Sequence, residues 1–322
     1  MINLAKPEMK KTREGFGRGL VDLGRANPNV AVLVGDLSES TMVNLFAEEF
    51  PERFIQVGVA EQNMMTVAAG LSLVGKIPYL STYGAFASCR SLDQVRVTLC
   101  YGNLNVKIGG AHGGISVGPD GATHQAMEEI SIMRSMPNMR LVVPADFHEA
   151  RKATVAAAAV HGPVYIRFGR ENVPVVTTED SPFELGKGME MAPGGDLTII
   201  ACGVMVYEAL VAREELKKQG IEARVINIHT IKPLDTDIIV RAARETRALV
   251  TAEEHQVFGG LGGAVAECTA RLEPVPVEMV AVYDRFGQSG KPDELMAAFG
   301  LKSKDVIARA HDVLKRKRRA AA

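Results

Sequence analysis

One carboxylate, Glu61, opens the apolar run VGVAEQNMMTVAAGL (57–71). A charged carboxylate facing an apolar wall is costly unless something pairs with it, so the position implies a partner or a task. Further on, LNVKIGGAHGGISVGPDGATHQ (104–125) holds six glycines, with His112 and His124 on either side of Asp120. Glycines let backbone turn with positive φ or approach a ligand closely. Imidazoles donate, accept or shuttle protons near neutrality. A plain connector with surface histidines is the blander reading of the same loop, and its spacing matches no standard metal signature. In STYGAF (81–86), Tyr83 and Phe86 lie three apart at a strand-to-helix turn, a placement that serves a core as readily as a flat ring. Arg13, Arg90 and Arg170, taken singly, are compatible with surface ion pairs of little weight.

These residues need elements to hold them. An amphipathic helix is predicted over 12–27, and VAVLVGDLS (30–38) reads as a buried strand running into a loop. Helix 60–75, strand 77–83 and helix 85–101 follow. A short strand then opens into the glycine-rich loop. Helix 126–136, strand 139–146, helix 148–160 and strand 164–171 complete the half. Strands alternating with helices predict a parallel sheet covered on both faces. The stretch 171–196, rich in Pro, Gly and acids, reads as a connection. A second α/β series follows it: LTIIACG, a helix to Gln219, ARVINIH, a helix near 235–245, ALVTAEEH, a helix opening at GGLGG, and VEMVAVY. The fold class expected is therefore α/β, with two doubly wound domains. GGLGG itself does not fit a dinucleotide fingerprint, which requires G-x-G-x-x-G after the first strand of its unit.

Composition narrows the function. The chain has 322 residues, enough for two domains, and a formal charge of -1. That charge provides no basic field for nucleic acid or an anionic membrane. Aromatics make up 5%, with no Trp, poor material for stacking bases. Cys89, Cys100, Cys202 and Cys268 show no C-x-x-C spacing, and free thiols in a reducing cytoplasm are expected. The stretch MINLAKPEMKKTREGFG lacks an apolar signal core, and no uncharged run has the length of a membrane span. KRKRRAAA, at the other end, reads as a solvated basic tail.

Taken in order, GDLSES, VAEQNMMTVAAGLSL, STYGAF, AHGGISVGPDGATHQ, MRSMPNMRLVVPAD, FGREN, EEHQVFGGLGGAVAE and GQSGKPDEL resemble the C-terminal half of a transketolase over nearly the whole chain. The resemblance implies a pyrimidine-binding domain (1–175), a linker (176–194) and a transketolase C-terminal domain (195–322), whose role in the family is mainly structural. It implies thiamine diphosphate, shared between chains. The family's diphosphate domain carries Gly-Asp-Gly and then an Asn pair. No GDG occurs here, and GPDG (118–121) is not its equivalent. The chain thus resembles one subunit of a split transketolase. The expected partner is the N-terminal subunit with the GDG motif and the Mg2+ ligands, in an α2β2 assembly built through β–β contacts.

The same resemblance implies roles for named residues. Glu61 would hydrogen-bond a ring nitrogen of the aminopyrimidine and share a proton with it, helped by burial that raises a carboxyl's pKa. Tyr83 and Phe86 would stack on that ring. The family usually has Phe where Tyr83 stands, and often another aromatic where Cys89 stands. Asp36 matches a cofactor-proximal acid. His112, Asp120 and His124 match residues that contact sugar hydroxyls, with His124 also moving a proton during carbon–carbon cleavage. Arg13, Ser40 and Arg170 match a phosphate clamp. The implied reaction is two-carbon ketol transfer from a ketose phosphate, such as xylulose 5-phosphate, to an aldose phosphate, such as ribose 5-phosphate. Other readings are a split transketolase for an unusual sugar phosphate, half of a deoxyxylulose-phosphate synthase, the β subunit of a 2-oxo acid dehydrogenase, or a non-catalytic binding or scaffold relative.

Overall fold

Two mainly parallel α/β sheets, joined by shared core and by an exchanged strand, and a small two-stranded antiparallel sheet make up the structure, a computed structural model that describes residues 3–321. The portions of the amino-terminal stretch and basic tail falling on Met1, Ile2 and Ala322 lie outside the described residues. The first half runs β1 (Met9–Lys11), α1 (Thr12–Ala26), β2 (Val30–Val34), α2 (Asn44–Glu49), β3 (Phe54–Gln56), α3 (Glu61–Leu73), β4 (Ile77–Tyr83), β5 (Lys107–Ala111), α4 (Glu129–Ser135), β6 (Arg140–Val142), α5 (Phe147–Ala158), β7 (Val164–Phe168) and β8 (Asn172–Pro174). The second runs β9 (Met189–Ala192), β10 (Leu197–Ala201), α6 (Met205–Lys218), β11 (Ala223–Asn227), β12 (Thr230–Lys232), α7 (Thr236–Thr246), β13 (Leu249–Gln256), α8 (Leu261–Leu272), β14 (Val277–Val282), α9 (Pro292–Ala298) and α10 (Ser303–Ala321).

The first sheet has the order β12-β6-β7-β5-β4-β2-β3 and is parallel except for β12. Its central strands β2, β5 and β7 are buried at every residue, as strands covered on both faces must be. Phe16, Leu20, Val32 and Ile166 pack on the face under α1 and α5. Met64, Met65, Leu80 and Ile108 pack on the other, under α3. The second sheet has the order β14-β13-β10-β11-β9, with only β9 antiparallel.

Several expectations are revised. Met189–Ala192, inside the stretch read as a linker, is an edge strand of the second sheet. β12 leaves the second half and pairs antiparallel with β6 of the first sheet. The basic tail is solvated as expected, with Lys315, Arg316, Arg318 and Arg319 exposed, and α10 continues through it to Ala321. The helix expected over 85–101 is wound as two π-helical segments, Phe86–Arg90 and Gln94–Tyr101. π turns inside a helix commonly mark functional sites, since the extra residue re-aims side chains. Among the described residues, no helix is long and apolar enough to cross a membrane.

Candidate active site

Parallel strands deliver their following loops to one edge, where α/β proteins bind ligands. Here β2, β4, β5 and β7 bring Asp36, Tyr83, His112 and Arg170 to the same edge. Tyr83 pairs in register with Ala111, and Ala111 with Phe168. α3 adds Glu61 as its first residue.

Tyr83 lies at the centre. Its ring stacks with Phe86 at 5.6 Å and 18°, and meets His112 edge-on at 4.2 Å and His124 at 5.8 Å. Phe86 and His124 are 5.3 Å apart. The Tyr83 hydroxyl shares a hydrogen bond with the Ser40 hydroxyl at 3.0 Å, which gives the departure from Phe a partner. The Ser40 carbonyl accepts from Arg13 Nη1 at 2.7 Å. Arg170 donates to Asp120 Oδ1 at 2.9 Å and lies against the carbonyl of Val117 at 3.4 Å. Burial and then the nearby charge of Arg170 push the Arg13 pKa down, so two like charges are held in one place. An anion between them would relieve that repulsion. Each residue expected in the clamp is therefore present in one neighbourhood.

His112 is fully buried, and neither of its ring nitrogens has a partner among the described residues. Burial, followed by Arg13 and Arg170, pushes its pKa down to about 3. It is a neutral imidazole near pH 7, able to donate one hydrogen bond and accept another without carrying charge. The His124 ring is fixed by Thr123, whose hydroxyl lies 2.9 Å from Nδ1.

Glu61 is 3% exposed, yet it does not face only apolar groups. Arg90 Nη1 donates to both its carboxylate oxygens, at 3.0 and 2.9 Å. The same guanidinium lies 4.1 Å over the Phe86 ring. By sequence Arg90 reads as an ordinary surface cation, and no spacing links it to Glu61, 29 positions away. The π turn Phe86–Arg90 is what carries it back over the Phe86 ring and onto the acid. Asp36 stands apart. Its backbone, at φ 60°, donates to Gln56 Oε1 at 2.7 Å, and its carboxylate makes no hydrogen bond among the described residues.

The glycine-rich loop turns with positive φ at Gly114, Gly118 and Gly121, and its glycines admit neighbours of the second half. A Cβ on Gly114 would lie 2.2–2.5 Å from the Glu254 carboxylate atoms, and one on Gly121 would lie 2.6 Å from Ser289 Oγ. Both have positive φ, and both admit side chains of the second half. Among the described residues no group of three or more His, Cys, Asp or Glu is placed to hold a metal ion.

Residues 8–176 match the family described as "Transketolase, pyrimidine binding domain", and residues 186–306 match "Transketolase, C-terminal domain". The fold and these two matches define a pyrimidine-binding α/β protein of the transketolase type. The 6-deoxy-6-sulfo-D-fructose transketolase subunit SqwH of Clostridium sp. (strain MSTE9) is 45% identical, over 92% of each chain. A subunit of the apulose-4-phosphate transketolase of Phocaeicola vulgatus is 38% identical, over 94% of this chain and 97% of that one. A solved structure described as "Split gene transketolase, inactive beta4 tetramer" superposes with a TM-score of 0.90 at 48% identity, covering 95% of this chain and 99% of that one. The chain belongs to the transketolase family, as the C-terminal, pyrimidine-binding subunit of a split transketolase.

Proposed function

We propose that this subunit completes a thiamine-diphosphate-dependent ketol transferase acting on anionic sugars, with a ketose phosphate such as xylulose 5-phosphate as donor and an aldose phosphate such as ribose 5-phosphate as acceptor. One observation carries the reading. Tyr83 joins the aromatic pair, the two histidines and, through Ser40, Arg13 in a single cluster, with the charge of Arg170 close to Arg13. The roles assigned to the site residues and the division into domains 1–175 and 195–322 are part of this proposal.

The residues fit the cofactor's aminopyrimidine. A buried acid and a half-buried aromatic pair stand side by side, and His112 holds two orphaned ring nitrogens next to them. When bound, thiamine diphosphate supplies the nucleophilic carbon and the electron sink for ketol transfer. Glu61 would hold a ring nitrogen and its proton, while Tyr83 and Phe86 provide a flat surface and exclude water. Arg13 and Arg170 would grip the anionic end of the sugar through forked, charge-assisted bonds. His112 would orient hydroxyls without titrating. With Nδ1 of His124 engaged by Thr123, Nε2 is the atom available to take or return a proton. Mg2+ ligands and the Gly-Asp-Gly motif belong to the proposed N-terminal partner subunit.

A face for assembly lies beside the site. Val59, Leu73, Val74, Val97 and Tyr101 are exposed around α3 and the π-helical segment packed on it. Exposed apolar residues along these two packed segments suit an interface, here the β–β contact of an α2β2 assembly. A second substrate reading has specific support: the two relatives above are described as acting on 6-deoxy-6-sulfo-D-fructose and apulose 4-phosphate. An arginine pair suits a sulfonate as well as a phosphate.

The test is a ketol-transfer assay with thiamine diphosphate and Mg2+, run on this chain alone and with the N-terminal subunit. Donors would be xylulose 5-phosphate, a sulfofructose and apulose 4-phosphate. Turnover only with the partner is expected, and it should be lost in Glu61→Gln. Full turnover by the lone chain, or by the Glu61→Gln complex, would refute the assignment.

A further inference from the structure

The loop carrying His112, Asp120 and His124 belongs to the first half of the chain, where Arg170 holds Asp120 and the Val117 carbonyl, but further fastenings at both its ends come from the second. At its start, Glu254 of β13 accepts from the Ser116 amide at 2.7 Å. Gly114 has no side chain to keep that carboxylate away. Glu254 is itself anchored. Arg167 Nη2 donates to its backbone carbonyl at 2.8 Å, and Nη1 lies 3.6 Å from Oε2. Arg167 Nε in turn donates to Glu129 Oε1 at 2.7 Å. The side chains of Arg167, Glu254 and Glu129 are 4%, 3% and 0% exposed, so the whole relay is shut away from water.

At the other end the agent is the segment 287–292. Gln125, next to His124, uses one amide nitrogen to reach the carbonyls of Ile115 at 3.1 Å, Gly118 at 3.3 Å and Gln288 at 2.9 Å. A Cβ on Gly287 would lie 1.8 Å from Gln125 Oε1. Ser289 fills the space left by Gly121, and Pro292 packs against Gly118. Each end of the loop is therefore held in part by side chains and backbone of the second half.

We propose that the second half serves as the outer frame of the sugar site, with Glu254 as a positioning residue that sets the loop through the Ser116 amide. This rests on the reading that His112, Asp120 and His124 bind the sugar. It assigns the C-terminal domain a task in substrate recognition, exerted through the loop without contact with the sugar.

The buried Glu254 makes two separable interactions, a hydrogen bond to the loop and an ion pair to Arg167. Glu254→Asp keeps the charge but withdraws the carboxylate by one methylene from Ser116. Glu254→Gln keeps the reach and an acceptor oxygen but removes the charge. Framing predicts that the Asp variant is the worse enzyme: kcat/KM for the sugar falls about tenfold, mostly through KM, the scale of one lost hydrogen bond to a charged group. A purely structural ion pair predicts the reverse order, with the Gln variant losing thermal stability and activity together. Gly287→Ala, in the segment that closes over the far end of the loop, supplies an independent variant that leaves the buried ion pair alone. The overpacking should lower the melting temperature somewhat, and in assays run well below it KM for the sugar should rise with kcat little changed; an unchanged KM counts against the frame.

Hydrogen exchange at the Ser116 amide, measured on the full chain, gives a readout that needs no turnover. Faster exchange in Glu254→Asp but not in Glu254→Gln supports the frame even if no sugar is turned over by the wild-type complex, in which case it is the functional assignment that has failed. Unchanged exchange in Glu254→Asp, or an Asp variant as active as wild type, overturns the proposal.

Discussion

Removing Arg90 should destabilise this chain through Glu61. The two charges meet at 2.9–3.0 Å, with Glu61 3% and Arg90 47% exposed at the side chain. Two unit charges about 3–4 Å apart at an effective dielectric near 20 attract by roughly 4–5 kcal/mol. Desolvating Glu61 and screening at the half-open Arg90 offset most of that. A coupling of about 1–2 kcal/mol remains, above the ~0.2–1 kcal/mol typical of exposed pairs. The assay is urea unfolding of wild type, Glu61→Gln, Arg90→Ala and the double variant. Arg90→Ala alone leaves a buried carboxylate unpaired, so it should cost more in the wild-type background than in the Glu61→Gln background. The cation–π contact with Phe86 is lost in both backgrounds and cancels from the coupling. A coupling below about 0.3 kcal/mol would show that solvent already satisfies Glu61 and would refute the reasoning.

Two further outcomes follow from the site. His112, with its pKa depressed to about 3 by burial, stays neutral in the folded chain while the unfolded chain takes up a proton below about pH 6.5. Stability should therefore fall as pH drops through about 6.5, by about 2 kcal/mol at pH 5 from this residue, and His112→Asn should remove that share from the pH dependence of urea unfolding. Equal pH slopes in the two proteins would contradict it. Arg170→Ala in the assembled enzyme should raise KM for phosphorylated sugars by about tenfold or more and leave unphosphorylated analogues nearly unaffected, as loss of a charge-assisted bond requires; equal effects in steady-state kinetics would remove Arg170 from the clamp.

Much of the architecture was legible from the chain. Apolar runs bounded by glycine marked β2, β4 and β7, and the alternation of strands with helices pointed to a parallel sheet. That arrangement places Tyr83, His112 and Arg170 on one edge, because parallel strands send their loops the same way. What could not be read depends on chain segments far apart in sequence. β12 has three residues and no periodicity to mark it, and its place on β6 is set by where the second half docks. The Arg90–Glu61 pair spans 29 positions and needs a π turn, which no pattern in residues 85–101 announces. The loop glycines carried a real signal, since Gly114, Gly118 and Gly121 do turn with positive φ, but nothing in the sequence says that Glu254, Pro292 and Ser289 pack against them.

β12 also bears on how this protein can be divided. The strand Thr230–Lys232 closes the edge of the first sheet, and the amide of Val143 donates to the carbonyl of His229 beside it. One apolar core runs without a break from Leu33 and Met64 to Ile200, Ile226 and Leu249. A fragment ended between residues 176 and 186 would bare the β6 edge and part of that core, the combination that templates strand-to-strand aggregation. The two halves match separate sequence families yet share one core and one sheet edge, so a recombination of this subunit with its relatives should keep its stability only if both are exchanged together.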